Sequence, residues 1–573
     1  MARKDKKQTT ALGEEFAKFA GSVTGIAMLA LMLIFPLFIS SQSYSNILRV
    51  KYKFFWILAV VMAGLCLLAG LLWFFTDRME NRGEGARKFA AHVRETGWKK
   101  LLSAGDKGLL VFIAIALIST LTSEYLYESF WGNEGRYSGF FLLALYTVMY
   151  FLVSRFFHFK QWYLDAFLTA ATLAGLFGIT DYFRMDIMGY KVGVPLETAD
   201  IFTSTFGNIN TFTAFLGMSL AVAAGLFAVE KDWRRQLWYF LHLAVASAAL
   251  ITSQSDNGYL AAAALFISLP FFLFGTRTGA RRYLVILAVF AAAAAWVGWV
   301  NRTMPDTVIG LAGIGGAVTT LPGLPALAAL LWLAAGGWYL YDRKKGRTGA
   351  LAGAPSSGRT SALGAGGKSA LGDSPSPTDP AAADRLGPLP RRIWKWAMIL
   401  IAAAVVCMFV DANLLGNGDR YGSLANFLVF DDQWGNLRGF AWRITFKDYL
   451  EEFTPLQRVF GYGPDTFGII TTTFNRMEMH YATGQIYDSA HNAYIHYFAT
   501  IGPIGLGGYL VFLAGSLAAM AKHWRERPAL LALFCAVLAY SAQAMVNIDL
   551  PIVTPFMWAF VAMGIACVRR SGE

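Results

Sequence analysis

The chain has 573 residues and a formal net charge of +12, with 56% hydrophobic and only 15% charged residues. Mean hydropathy is +0.45, whereas an average soluble domain is about 25% charged. This excludes a soluble multidomain enzyme, a disordered chain and a small secreted scaffold, because the apolar residues fall in long runs that need a bilayer as solvent.

A membrane helix takes about 20 mostly apolar residues. Fourteen candidate spans follow, at roughly 22–40, 54–75, 108–122, 138–153, 161–180, 205–228, 237–252, 258–274, 283–300, 323–341, 396–411, 490–520, 529–546 and 553–568. The first is long for a signal-peptide core, and no small-x-small cleavage site follows it. The 490–520 stretch is long enough to tilt or to start outside the bilayer.

None of the 49 Lys and Arg falls inside these spans. With the N-terminus in the cytoplasm, 36 of the 49 lie on the cytoplasmic side and 49 − 36 = 13 outside, six of them in the loop 412–489. The positive-inside rule therefore predicts both termini in the cytoplasm. The surplus charge reads as topology and contact with membrane lipids. It does not read as a nucleic-acid surface, since no basic element is interleaved with stacking aromatics.

The predicted organisation is N-terminal membrane helices over 1–341, a Gly/Ala/Ser/Pro-rich linker over 342–392, a membrane helix over 393–411, an extracytoplasmic subdomain over 412–489, and C-terminal membrane helices over 490–573. The linker composition cannot bury a core and predicts disorder on the cytoplasmic side. Cys66, Cys407, Cys535 and Cys567 all lie in apolar spans without metal spacing, so they read as packing residues.

The unusual polar residues collect on the outer face. Arg136, in Trp131-Gly-Asn-Glu-Gly-Arg-Tyr-Ser-Gly139, reads either as a fixed cation for an anionic substrate group or as an arginine snorkelling to headgroups. Asn208 and Asn210 open the sixth span, where they cap or unwind a helix start that can also meet an anion. Asp256, in the turn Ser255-Asp-Asn-Gly258, is either an ordinary turn residue or a group that orients an arginine across a cavity.

In the outer loop, Gly435–Leu450 has helical spacing, which puts Arg438 and Trp442 on one face and Arg443 and Lys447 on another. Gly461-Tyr-Gly-Pro464 follows, a tight turn or a phosphate cradle. The strongest local signal is Tyr487-Asp488-Ser489-Ala490-His491-Asn492-Ala493-Tyr494, where the loop re-enters the membrane. A histidine there can take a proton from a hydroxyl, with Ser489 as a helix cap and Asp488 orienting the imidazole, or it is a structural interfacial residue. His496 lies about 140° further round the helix. No HExxH, DxD or CxxC pattern occurs, so no metal site is expected.

The order of these pieces resembles the O-antigen ligase and O-antigen polymerase superfamily of bacterial membrane glycosyltransferases. HNAYIHYFATIGPIGLGGYL is similar to that family's His-Asn motif and Gly-x-x-Gly re-entry helix. NLRGFAWRITFKDYLEEFTPLQRVFGYGPDTF is similar to its Arg-x-x-x-Trp helix and Gly-x-Gly turn. FGNINTFTAFLG and TSQSDNGYLA match its middle spans more loosely. The resemblance covers about 120–570 and is specific over 435–510.

It implies an all-α, GT-C-like polytopic membrane fold of about 12–14 helices in a bacterial cytoplasmic membrane, with an extracytoplasmic active site. It further implies a glycan donor on undecaprenyl diphosphate, a glycan, lipid or protein acceptor, inversion at the transferred sugar, and neither metal nor cofactor. By position, His491 would accept the proton or place the acceptor, and Arg438 would contact the diphosphate. Arg136, Arg443, Asn208, Asn210, Asp256, Trp442, Tyr487, Asp488 and Asn492 are the further candidate substrate contacts. Members often carry Ser-Arg-Gly where this chain has Ser255-Asp256-Asn257-Gly258, so a second diphosphate contact is expected from Arg136 or Arg443.

Two other classes compete. A transporter or flippase of lipid-linked sugars would place charged groups near the midplane of several helices. A peptidoglycan-type polymerase would use the same carrier lipid. Ligation, polymerisation and protein glycosylation share a donor and a base, and the sequence does not separate them.

Overall fold

A computed structural model of the chain describes residues 2–41, 43–97, 101–195, 197–352 and 384–570. Among the described residues the regular structure is helical, and the one strand-like pairing is an isolated bridge between Thr276 and Arg385. In chain order the first helices are α1 (Ala2–Leu29), α2 (Ile47–Glu80), α3 (Glu84–Thr96), α4 (Ala104–Thr122), α5 (Leu126–Trp131), α6 (Phe140–Phe156) and α7 (Trp162–Tyr182). Then come α8 (Ile209–Val229), α9 (Trp233–Thr252), α10 (Asn257–Leu273), α11 (Arg277–Thr303), α12 (Gly313–Thr319), α13 (Leu324–Ala352) and α14 (Leu389–Asn413). The last are α15 (Ala425–Leu428), α16 (Trp434–Glu451), α17 (Pro455–Phe460), α18 (Phe467–Thr483), α19 (Ala493–His523), α20 (Ala529–Gln543) and α21 (Thr554–Arg569).

Nine helical segments among the described residues are long and apolar enough to cross a membrane: Gly13–Ile34, Ser43–Glu80, α4, α7, α8, α11, Leu324–Lys344, α14 and α19. The apolar helices α6, α10, α20 and α21 are shorter. Each of the fourteen expected spans overlaps a helix, although the first helix ends near Ile34, short of the expected residue 40, and the fourteenth overlapping helix is α9, which opens on Trp233-Arg234-Arg235. Helix α13 runs into the 342–392 segment as far as Ala352, and residues 353–383 of the expected linker lie outside the described residues.

Local chemistry sets the edges. The first helix passes through a π-helical turn at Ala30–Ile34 and stops at Pro36, which lacks the N–H needed to continue. The carbonyls of Phe35 and Pro36 accept bonds from Lys51 Nζ at 2.9 and 3.0 Å. Lys51 is fully buried with its ammonium 4.4 Å from the centre of the Phe206 ring. Helix α19 is broken at Gly502, whose φ of 80° is left-handed, immediately before Pro503.

The core is built on α8 and α21. Every side chain from Thr211 to Ala228, and from Thr554 to Cys567, is buried. Between membrane helices lipid offers little hydrophobic drive, so small residues that allow backbone contact hold the bundle. Where α4 crosses α19, a Cβ on Gly108 would lie 2.5 Å from the Phe512 nitrogen, and one on Gly508 would lie 2.7 Å from the Phe112 nitrogen. Helix α14 is the opposite case. Its Ile393, Leu400 and Val406 are all more than 60% exposed, the pattern of a helix facing lipid.

The two ends of the bundle differ. At one end, buried Asp106 accepts bonds from Tyr150 Oη at 2.7 Å and Arg569 Nη2 at 2.8 Å, and pairs with Arg155 at 3.1 Å. This joins α4, α6 and α21. At the other end the α5–α6 loop, the long 414–492 segment and the α20–α21 loop converge on one another.

Candidate functional site

The convergence is built by carboxylates on loops. The turn 132–139 is closed so tightly that a Cβ on Gly139 would sit 2.4 Å from the Gly132 nitrogen. One oxygen of Asp465, Oδ2, accepts from the backbone N–H of Asn133 at 2.8 Å and of Ser138 at 3.1 Å. These two bonds bracket Arg136. Asp465 itself has left-handed backbone (φ 61°) and is 2% exposed. Burial pushes its carboxyl up to about 6, against the lowering pull of Arg136 and the two N–H groups.

Arg136 reaches from this turn to Asp488 and forms an ion pair with it. Burial would raise the Asp488 carboxyl, but the Arg136 guanidinium outweighs burial and holds it below the usual carboxylate range. Asp488 therefore bonds to Arg136, and it touches His491 only through its charge.

Helix α16 brings Arg438. Gly435, Asn436 and Leu437 all have left-handed φ, so the regular helix effectively begins at Arg438. Its Nη1 donates to the Gly435 carbonyl at 2.6 Å, and its Nε is buried with no partner. Among the described residues no carboxylate stands within ion-pair distance of it. Burial lowers its pKa, and the charge of Asp256 partly offsets that. One turn on, Trp442 donates from Nε1 to the Ala490 carbonyl at 2.9 Å and fixes α16 to the segment carrying His491.

His491 is half-buried, with an unusual left-handed φ of 45°. Burial pushes its pKa down to about 4, helped by Arg438 and Arg136 and opposed by Asp488. The imidazole is therefore neutral at pH 7 and available as a base. Ser489 Oγ accepts weakly from the His491 N–H at 3.4 Å, and the cap of α19 is Asn492, which accepts from Tyr494 N and Ile495 N. The helix is thus capped by Asn492 and not by Ser489. Asn492 is thereby committed to its own helix.

Other sequence candidates fall elsewhere. Arg443 is exposed, with a two-pronged pair to Asp432 at 2.7 and 2.9 Å and a bond to Glu478 at 3.0 Å. These partners raise its pKa, and the charges that act on His491 are those of Arg438, Arg136 and Asp488. Asn208 caps α8 by accepting from Asn210 N. Asn210 joins a polar network with Ser255, Asn257 and Asn547. Asp256 accepts from Ile314 N at 2.9 Å and faces Arg438 electrostatically. Tyr487 packs near Phe440, with Thr483 beside its hydroxyl.

The Gly461-Tyr-Gly turn proves to be a packing device. The N–H groups of Tyr462 and Gly463 donate to the carbonyls of Ala499 and Thr500, so neither is aimed at a phosphate. A Cβ on Gly461 would lie 2.4 Å from the Ile501 nitrogen.

Three residues carry more than their sequence context shows. Asp465 holds the Arg136 turn. Asp549, half-buried in the α20–α21 loop, accepts from Tyr497 and Tyr540 hydroxyls at 2.8 Å each, and its carbonyl accepts from Ser138 Oγ at 3.2 Å. His496 is stacked on Phe467 with its Nδ1 buried and unpartnered. The only sequence hint for Asp465 is its place after Gly-Pro, where Asp tolerates left-handed backbone.

Together the architecture and the site define a multi-pass membrane protein, helical throughout its described residues, in which Arg136 and Arg438 act electrostatically on His491 at one end of the bundle. Comparison with family models gives no match, and comparison with characterised proteins gives none. Among the described residues no group of three or more His, Cys, Asp or Glu is placed to hold a metal ion.

Proposed function

We propose that the chain is a membrane glycosyltransferase of the O-antigen ligase and polymerase type, with a GT-C-like fold of about 12–14 membrane helices. It transfers a glycan from an undecaprenyl-diphosphate carrier to an acceptor hydroxyl at the outer face of a bacterial cytoplasmic membrane. The observation that carries this reading is Arg438: a half-buried guanidinium whose Nε is enclosed without a partner, with no carboxylate at ion-pair distance among the described residues, and close enough to the neutral His491 to depress its pKa. A fixed fork of this kind suits an anionic, phosphate-bearing ligand.

In the proposed reaction the acceptor hydroxyl oxygen attacks the anomeric carbon. The bond from that carbon to the diphosphate oxygen breaks, and the hydroxyl proton passes to His491. The leaving undecaprenyl diphosphate gains negative charge, which Arg438 and Arg136 stabilise. Asp488 holds Arg136 until the diphosphate competes for it. Bound diphosphate also offsets the two arginine charges, and so raises the basicity of His491 when an acceptor is to be deprotonated.

The test is glycan transfer in vitro by purified His491→Ala and Arg438→Ala. Both should fold in detergent and lose transfer by 10²-fold or more. Normal transfer by both variants would refute the assignment.

A further inference from the structure

A second candidate binding site lies far from the first. Helix α6 begins just after the Arg136 turn and ends at Phe156, about 25 Å away along its axis. At that distal end a crevice of about 480 Å³ opens between α1 and the start of α7. Its floor exists because of two glycines. A Cβ on Gly21 would lie 3.0 Å from His158 Nδ1, and one on Gly25 would lie 2.7 Å from the Tyr163 hydroxyl.

The lining divides by chemistry. Lys18 and Lys160 stand at the rim, both exposed, and among the described residues no carboxylate lines the crevice. Neither lysine is ion-paired among the described residues. Further along α1 the wall becomes apolar with Ile26 and Leu29, and Trp162 stands on the facing side. Ile26 is 69% exposed and Trp162 42%, so the apolar wall is open to the side of the bundle. A tryptophan at the rim is the residue expected at headgroup level. A neighbouring cavity of about 490 Å³ differs, because Glu230 and Glu526 stand there beside Lys231 and Arg527.

We propose that the α1–α7 crevice binds one anionic phospholipid, with its phosphate between Lys18 and Lys160 and an acyl chain along Ile26 and Leu29. Basic pockets between membrane helices select acidic headgroups, and this one joins two unpaired ammonium groups to an apolar channel. The inference is independent of the glycosyl-transfer reading, because it uses none of the residues of that site.

The experiment is native mass spectrometry of the full chain in detergent, titrated with phosphatidylglycerol and, separately, with phosphatidylcholine. The wild type should retain one phosphatidylglycerol in preference to phosphatidylcholine. A Lys18→Gln/Lys160→Gln double variant should bind phosphatidylglycerol about thirtyfold more weakly at low salt, and Lys18→Arg/Lys160→Arg should restore binding. Thermal unfolding of both double variants should match wild type, since the altered groups are exposed. Millimolar glycerol 3-phosphate should not displace the lipid. Undiminished phosphatidylglycerol binding by the Gln variant, equal affinity for phosphatidylcholine, or displacement by glycerol 3-phosphate would each overturn the proposal.

Discussion

Replacing Asp465 by alanine removes the single oxygen that accepts two backbone N–H groups across the Arg136 turn. Both donors would then be left without that acceptor in a site where Asp465 is 2% exposed. A buried donor without a partner costs about 1–3 kcal/mol, so the two together predict a loss of roughly 2–6 kcal/mol of unfolding free energy. Asp465→Asn keeps an oxygen able to accept both bonds, and its loss should be about 1 kcal/mol. The pH dependence gives a second signature. The native carboxyl titrates near 6, above its ordinary 3.8. Between about pH 4 and 6 the folded state therefore holds a proton that the unfolded chain releases, and this group's contribution to stability falls as pH rises. Denaturant unfolding in detergent at pH 4.5 and 7 measures both effects. Wild type and Asp465→Ala of equal stability, or an Asp465→Asn variant with the wild-type pH slope, would refute the clamp.

Arg443→Ala should cost little stability, about 0.5 kcal/mol, and should leave glycan transfer near wild type, because its partners are Asp432 and Glu478 on the surface. A loss of transfer equal to that of Arg438→Ala would contradict this placement. With His491 pushed down to about 4, kcat/KM should stay flat from pH 7 to about 5 and decline only near 4. A decline centred near 6.5 would show a histidine not held down by burial and the two arginines. Gly108→Val should destabilise the protein by about 1–3 kcal/mol or more, since the added carbon meets the Phe512 backbone at 2.5 Å. Thermal unfolding in detergent checks this, and an unchanged midpoint would count against the close α4–α19 crossing. A cysteine introduced in 412–489 should react with an impermeant reagent on intact cells, and one in 342–392 should not. The opposite pattern would invert the proposed topology.

The helices were legible because apolar runs of span length leave the chain few alternatives. Their edges were not. The end of the first span depends on Pro36 and on carbonyls taken up by Lys51, a residue 15 positions away in sequence. His491 and Arg438 stood out because each is a polar residue in an aromatic, glycine-rich setting at the membrane edge. Asp465 gave almost no signal, since its role comes from Asn133, 332 residues away. Asp549 was equally silent, because its meaning lies in the hydroxyls of Tyr497 and Tyr540 on two other helices. The Gly-x-Gly turn left two readings open, a cradle or a tight turn. Only the placement of the Ala499 and Thr500 carbonyls shows where its N–H groups point.

The central claim is that Arg438 recognises a diphosphate while His491 takes the acceptor proton, and one paired measurement separates these roles. Purified wild type, His491→Gln and Arg438→Met would each be given an undecaprenyl-diphosphate-linked glycan, with binding and single-turnover transfer followed together. The predicted result is that His491→Gln binds the donor near wild-type affinity yet transfers at least about 100-fold more slowly. Arg438→Met should lose both binding and transfer. Wild-type transfer by His491→Gln, or undiminished donor binding by Arg438→Met, would contradict the account.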